Sequence, residues 1–104
     1  MAFQFTDENV KESIASGKLV VVDCWATWCG PCVRMSPIID EVAEEFGDKA
    51  IIGKYNVDEQ SDLSAEYRIM SIPTILFFKE GKLADRLAGS QSKATLEAKI
   101  NSLL

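Results

Sequence analysis

The 104-residue sequence contains no histidine. That absence removes Cys–His nucleophilic catalysis, Ser–His–Asp triads and every zinc site that needs an imidazole ligand. Cysteine is scarce, at three residues: Cys24, Cys29 and Cys32. Three thiols cannot complete a four-cysteine zinc site within one chain. A metal would need a carboxylate or a second subunit as its fourth ligand, so no metal site is expected. An odd count also fits poorly with a disulfide framework. Basic clusters are missing too. The 11 Lys and Arg residues are dispersed among 16 acidic ones, for a net charge of −5. Nothing concentrates enough positive charge to displace counterions from a phosphate backbone, which argues against nucleic acid.

Long apolar runs are absent. Runs such as Leu19 to Val22 are far too short to cross a bilayer, so no membrane partner is expected. The opening stretch, "MAFQFTDENVKES", has no basic segment followed by an apolar one and does not read as a signal peptide. The expected location is therefore cytoplasmic, where thiols are kept reduced. A cysteine pair there is more often catalytic or metal-binding than structural. With 47% hydrophobic and 26% charged residues, residues 1–104 are expected to form one domain with its own core, acting as a monomer. No linker, repeat or low-complexity segment divides it.

What is present is regular alternation of strand and helix. Phe3 to Phe5 reads as a short strand. Thr6 can cap a following helix that carries Asp7 and Glu8 in its first turn, with Phe5 and Val10 at staple spacing and Gly17 at its end. Lys18 to Ala26, "KLVVVDCWA", is a strand apolar on both faces, as in a parallel sheet. Pro31 suits the first turn of the next helix. That helix repeats Met35, Ile38, Ile39, Val42, Ala43 and Phe46 at helical spacing, is expected to kink at Pro37, and to close at Gly47. A strand over Ala50 to Val57 and a short helix near Asp62 to Tyr67 come next. A hairpin turning at Glu80-Gly81 and a last helix bearing Leu96, Ile100 and Leu103 complete the chain. The order βαβαβαββα predicts an α/β fold with a mixed five-stranded sheet and four helices on its two faces.

The segment "VVVDCWATWCGPCVRM" holds the chemistry. A C-x-x-C pair alone is compatible with a structural disulfide, half a metal site, an inert buried pair or a redox centre. Its placement discriminates. Cys29 stands where a buried strand passes into a helix, before first-turn N–H groups that have no partner and at the positive end of the helix dipole. A thiolate there is stabilised and its pKa lowered. Cys32 lies one turn into the helix, less exposed and near enough to close a small ring. Asp23, a carboxylate within a run of valines, is costly to bury unless neutralised or paired.

These residues resemble the thioredoxin family. "WATWCGPC" after "VVVD" is similar to its active site, "SIPT" at Ser71 to Thr74 to its cis-proline loop, "GKYNVD" to its lysine-bearing strand, and "LAGS" to its glycine near the last helix. The likeness covers the whole chain, and the sequence is identified as a member of that family with its fold. The resemblance implies that Cys29 is the nucleophile, Cys32 the resolving thiol and Cys29–Cys32 the redox disulfide. It makes Asp23 a buried acid–base behind Cys32, with Lys54 a modulator nearby. Trp28, Gly30, Pro31, Ile72, Pro73 and Gly89 become the substrate-binding surface, with a cis bond at Pro73. It further implies protein-disulfide reduction with no cofactor bound, the partners being disulfide-containing proteins and a thioredoxin reductase that carries FAD and uses NADPH. An isomerase or oxidase domain of the same fold, or a non-catalytic adapter, are the alternatives; Gly30-Pro31 favours the reducing end. Three departures stand out. Cys24 replaces a usual bulky aromatic, on the strand face opposite Asp23. Val33 replaces a common basic residue, with Arg34 beside it to compensate. No histidine separates the cysteines, unlike the oxidising relatives.

Overall fold

The computed structural model describes residues 2–104. Thr6 Oγ1 accepts a hydrogen bond from the Asn9 N–H at 3.1 Å, and Asn9 Oδ1 accepts one from the Thr6 N–H at 2.7 Å. This reciprocal cap starts α1 (Asp7–Ala15) directly after strand β1 (Phe3–Phe5). Asp7 also reaches across to the short helix α3 (Asp62–Glu66). Its carboxylate accepts from the N–H groups of Ser61, Asp62 and Leu63 at 3.1, 3.2 and 3.2 Å and from the Tyr55 hydroxyl at 2.6 Å. Burial opposes ionisation of Asp7, but these donors outweigh it and hold its carboxyl below the usual range.

The remaining elements are β2 (Leu19–Trp25), α2 (Gly30–Glu45), β3 (Ala50–Asn56), β4 (Thr74–Lys79), β5 (Lys82–Ala88) and α4 (Lys93–Leu103). The strands order as β1-β3-β2-β4-β5. β3 runs parallel to β1 and β2, while β4 is antiparallel to both β2 and β5. The mixed sheet and the four helices are those the sequence predicts. Why β2 is apolar throughout is visible in its two faces. Leu19 and Val21 pack with Met35, Ile39 and Val42 of α2 and with Leu96 and Ile100 of α4. Val20, Val22 and Cys24 pack with Val10 of α1 and Leu63 of α3. Each such side chain contributes about 1.5–3 kcal/mol on burial, so a carboxyl at Asp23 in the same strand forgoes that gain.

The hairpin turns on Glu80 and Gly81, whose φ angles are 54° and 82°. Positive φ at both central residues is what a two-residue hairpin turn between twisted strands requires. The helix α2 is unbroken through Pro37. Its last residue is Glu45 and its C-cap Phe46, so Gly47 stands just past the end, where the sequence puts the closing glycine, but without the left-handed conformation. The Phe46 carbonyl accepts from both Lys49 and Ala50 at 2.9 Å, while its ring is buried with the α2–α4 cluster. The turn is thus built on Phe46. Among the described residues, no helix is long and apolar enough to cross a membrane.

Candidate active site

The C-terminal end of β2 passes through a short turn, closed by the Cys29 N–H on the Ala26 carbonyl at 3.2 Å, into α2. Cys29 is the N-cap. Its Sγ accepts the Cys32 N–H at 3.2 Å, so an unpaired first-turn donor points at sulfur. The two cysteines are joined by a disulfide with their Cα atoms 5.2 Å apart. Cys29 keeps 5% of its surface exposed and Cys32 none, so an incoming disulfide can reach only the first. Gly30 and Pro31 form the exposed first turn, where proline's missing N–H costs nothing. Val33 is half exposed, but Arg34 folds back over this turn. A Cβ placed on Gly30 would lie 3.2 Å from Arg34 Nη1. The positive charge absent at Val33 is thus supplied one residue later.

The loop before β4 comes to the same place. The Ile72–Pro73 peptide bond is cis, and the Ile72 carbonyl oxygen lies 3.8 Å from Cys29 Sγ. Gly89 joins through its N–H, which donates to the Pro73 carbonyl at 2.8 Å. Trp28 is 70% exposed and therefore not a core residue; its indole N–H donates to Asp58 Oδ2 at 2.8 Å. A groove of about 310 Å³ follows, lined by Trp28, Val57, Ile69, Met70 and Ile72. Asp58 and Met70 were not singled out from sequence. Asp58 ends the "GKYNVD" segment, but nothing local shows that it meets Trp28. A second hollow, of about 320 Å³, lined by Val10, Ile14, Leu63 and Tyr67, contains none of the residues named for the site.

Asp23 is buried on the α2 side of the sheet, and its Oδ1 has no hydrogen-bond partner among the described residues. Burial raises its pKa to about 7, against a smaller opposing pull from Lys54. Lys54 is its register partner on β3, yet the lysine ammonium pairs with Asp40 at 3.0 Å and with the Ser36 hydroxyl. Sequence reasoning brought Lys54 near Asp23 but missed both groups that hold it. Among the described residues, no group of three or more Cys, Asp or Glu is placed to hold a metal ion.

Cys24 is fully buried on the opposite face. Burial and the charge of Asp23 push its thiol up to about 12. Brief iodoacetamide treatment of the native, reduced protein should therefore label Cys29 and leave Cys24 unmodified, as read by mass spectrometry of peptides. Comparable labelling of both would contradict the burial of Cys24.

Comparison with known proteins agrees with this geometry. The family model described as Thioredoxin matches residues 1–102. A thioredoxin of Alicyclobacillus acidocaldarius subsp. acidocaldarius is 44% identical over 99 residues, covering 95% of this chain and 94% of its own. One of Chlorobaculum thiosulfatiphilum is 44% identical over 100 residues, covering 95% and 93%. One of Acidithiobacillus ferridurans is 45% identical over 98 residues, covering 94% and 91%.

Proposed function

The chain belongs to the thioredoxin family, and we propose that in its reaction Cys29 attacks, Cys32 resolves and Asp23 carries the proton. The activity is protein-disulfide reduction by dithiol–disulfide exchange through the Cys29–Cys32 pair. The observation that supports the division of labour is the geometry of the pair. Cys29 reaches the surface at a helix N-terminus and Cys32 is sealed beneath it. The Cys29 thiolate attacks one sulfur of a substrate disulfide, forming a mixed disulfide and releasing the other sulfur as thiolate. Cys32 then loses its proton to the Asp23 carboxylate and attacks Cys29 Sγ. The second substrate sulfur leaves, and two electrons have passed to the substrate.

Around this centre, Trp28, Gly30, Pro31, Ile72, Pro73 and Gly89 form the docking surface. An extended substrate pairs with the backbone near Ile72 while its apolar side chains enter the groove beside Trp28 and Met70. All of these groups come from one chain, so a monomer suffices. The reduced pair is restored by a thioredoxin reductase using its own FAD and NADPH, and this chain binds neither. The unpaired, buried Cys24 suits a reducing compartment, and we place the protein in the cytoplasm. The test is NADPH oxidation at 340 nm with insulin and a purified thioredoxin reductase. Oxidation that depends on this chain is expected. Insulin reduction driven by dithiothreitol, with no NADPH use across a panel of active reductases, would overturn the partner.

A further inference from the structure

Lys54 stands opposite Asp23 in the sheet register, yet its ammonium runs under α2 to Asp40 and Ser36. Asp40 Oδ1 also accepts the Ala2 N–H at 3.0 Å. Burial opposes ionisation there, but the Ala2 N–H and the Lys54 ammonium together hold the Asp40 carboxyl below its usual range. Ser36 and Asp40 follow Cys32 at successive intervals of four, the spacing that aligns side chains on one helix face. The polar stripe beneath α2 therefore begins at the buried thiol and ends at the carboxylate that takes up the lysine.

Few charged or titratable groups surround Asp23. β3 presents Lys54, and α2 brings Asp40 to that lysine. β4 presents the apolar Ile75 as register partner, and α4 brings Leu96 and Ile100 to that side of the sheet. Cys24, next in the chain, faces the other way and feels Arg86 of β5. Among the described residues, Asp23 is the carboxyl that stands in register with Lys54, so an ammonium released from Asp40 can approach it.

We propose that Asp40, assisted by Ser36, is a positioning residue that holds the Lys54 ammonium along α2 and keeps it off the Asp23 carboxyl. This rests on the reading of Asp23 as the proton carrier. A carboxylate in contact with an ammonium is stabilised as the anion and is a weaker base. Held apart from Lys54, Asp23 can take the Cys32 proton and release it near neutral pH. Asp40 acts only through the lysine.

Asp40→Asn removes the charge and keeps an oxygen for the Ala2 N–H. With the full chain reduced, the Asp23 carboxyl carbon is followed by NMR as pH is varied. The variant should ionise roughly one pH unit lower than the parent. Loss of a negative charge also acts on Asp23 directly, so the same substitution is made with Lys54→Met. There, with no ammonium to release, the shift should fall below half. Ser36→Ala, which loosens the lysine without changing charge, should move Asp23 the same way by less, and it carries the test if Asp40→Asn folds poorly. Equal shifts with and without Lys54, or no shift in Asp40→Asn and Ser36→Ala, would overturn the proposal. A shifted Asp23 ionisation with an unshifted pH profile of insulin reduction would uphold the positioning role and overturn Asp23 as the base.

Discussion

Replacing Cys29 by serine is expected to lower insulin reduction by at least about 10³-fold, because a hydroxyl at neutral pH supplies almost no anion and forms no disulfide with substrate. The structure makes this loss specific to one sulfur. Cys32 is fully buried and cannot take over the attack, and Cys24 is buried on the far side of the sheet. The fold should be intact in the variant. Serine at the N-cap still accepts the Cys32 N–H, so α2 keeps its start. Circular dichroism and denaturant unfolding of the reduced proteins would confirm that only chemistry has been removed. Activity within tenfold of the parent would mean that another thiol attacks.

Asp23→Asn should separate stability from rate. The folded-state pKa of Asp23 is about 7, against an ordinary value of 3.8, through burial. Below about pH 4 the carboxyl is protonated in folded and unfolded chains alike, and folding pays no desolvation of charge. As pH rises from about 4 towards 7, the unfolded chain ionises while the folded one retains its proton. Stability falls across that window and is level above it. The loss at neutral pH amounts to at most about 4 kcal/mol at 1.4 kcal/mol per pH unit. Asparagine has no charge to desolvate, although its amide is left without partners at a cost of about 1–3 kcal/mol. A net gain of about 1–3 kcal/mol at pH 8 is therefore expected from urea unfolding, shrinking to zero or reversing at pH 4. Insulin reduction should slow by about 10²-fold near neutrality, because Cys32 loses its internal base. A variant less stable at pH 8, or equally fast at every pH, would contradict the role given to Asp23.

Much of this was legible in the sequence because it is local. The Thr6 cap, the apolar β2, Pro31 in the first turn of α2 and the Glu80-Gly81 turn each depend on neighbours within a few positions. Strand alternation alone placed Asp23 and Cys24 on opposite faces; Cys24 packs with the α1–α3 cluster, and Asp23 is in register with Lys54, which reaches α2 on the other side. What was hidden depends on side chains that converge from distant segments. Nothing in "GKYNVD" shows that Asp58 takes the Trp28 indole or that Lys54 turns away to α2. The end of α2 was legible in part. Gly47 does follow the C-cap, but the turn itself is made by the packing of Phe46 and by bonds to its carbonyl.

The division of labour between the two cysteines is tested most directly by Cys32→Ser. Attack by Cys29 should proceed, but no thiol follows to release the substrate. Incubated briefly with a peptide disulfide, the reduced variant should accumulate a covalent adduct of stoichiometry near one, mapped by mass spectrometry to Cys29 and reversed by dithiothreitol. An adduct on Cys24, or none while Cys29 remains open to alkylation, would show that Cys29 is not the attacking thiol.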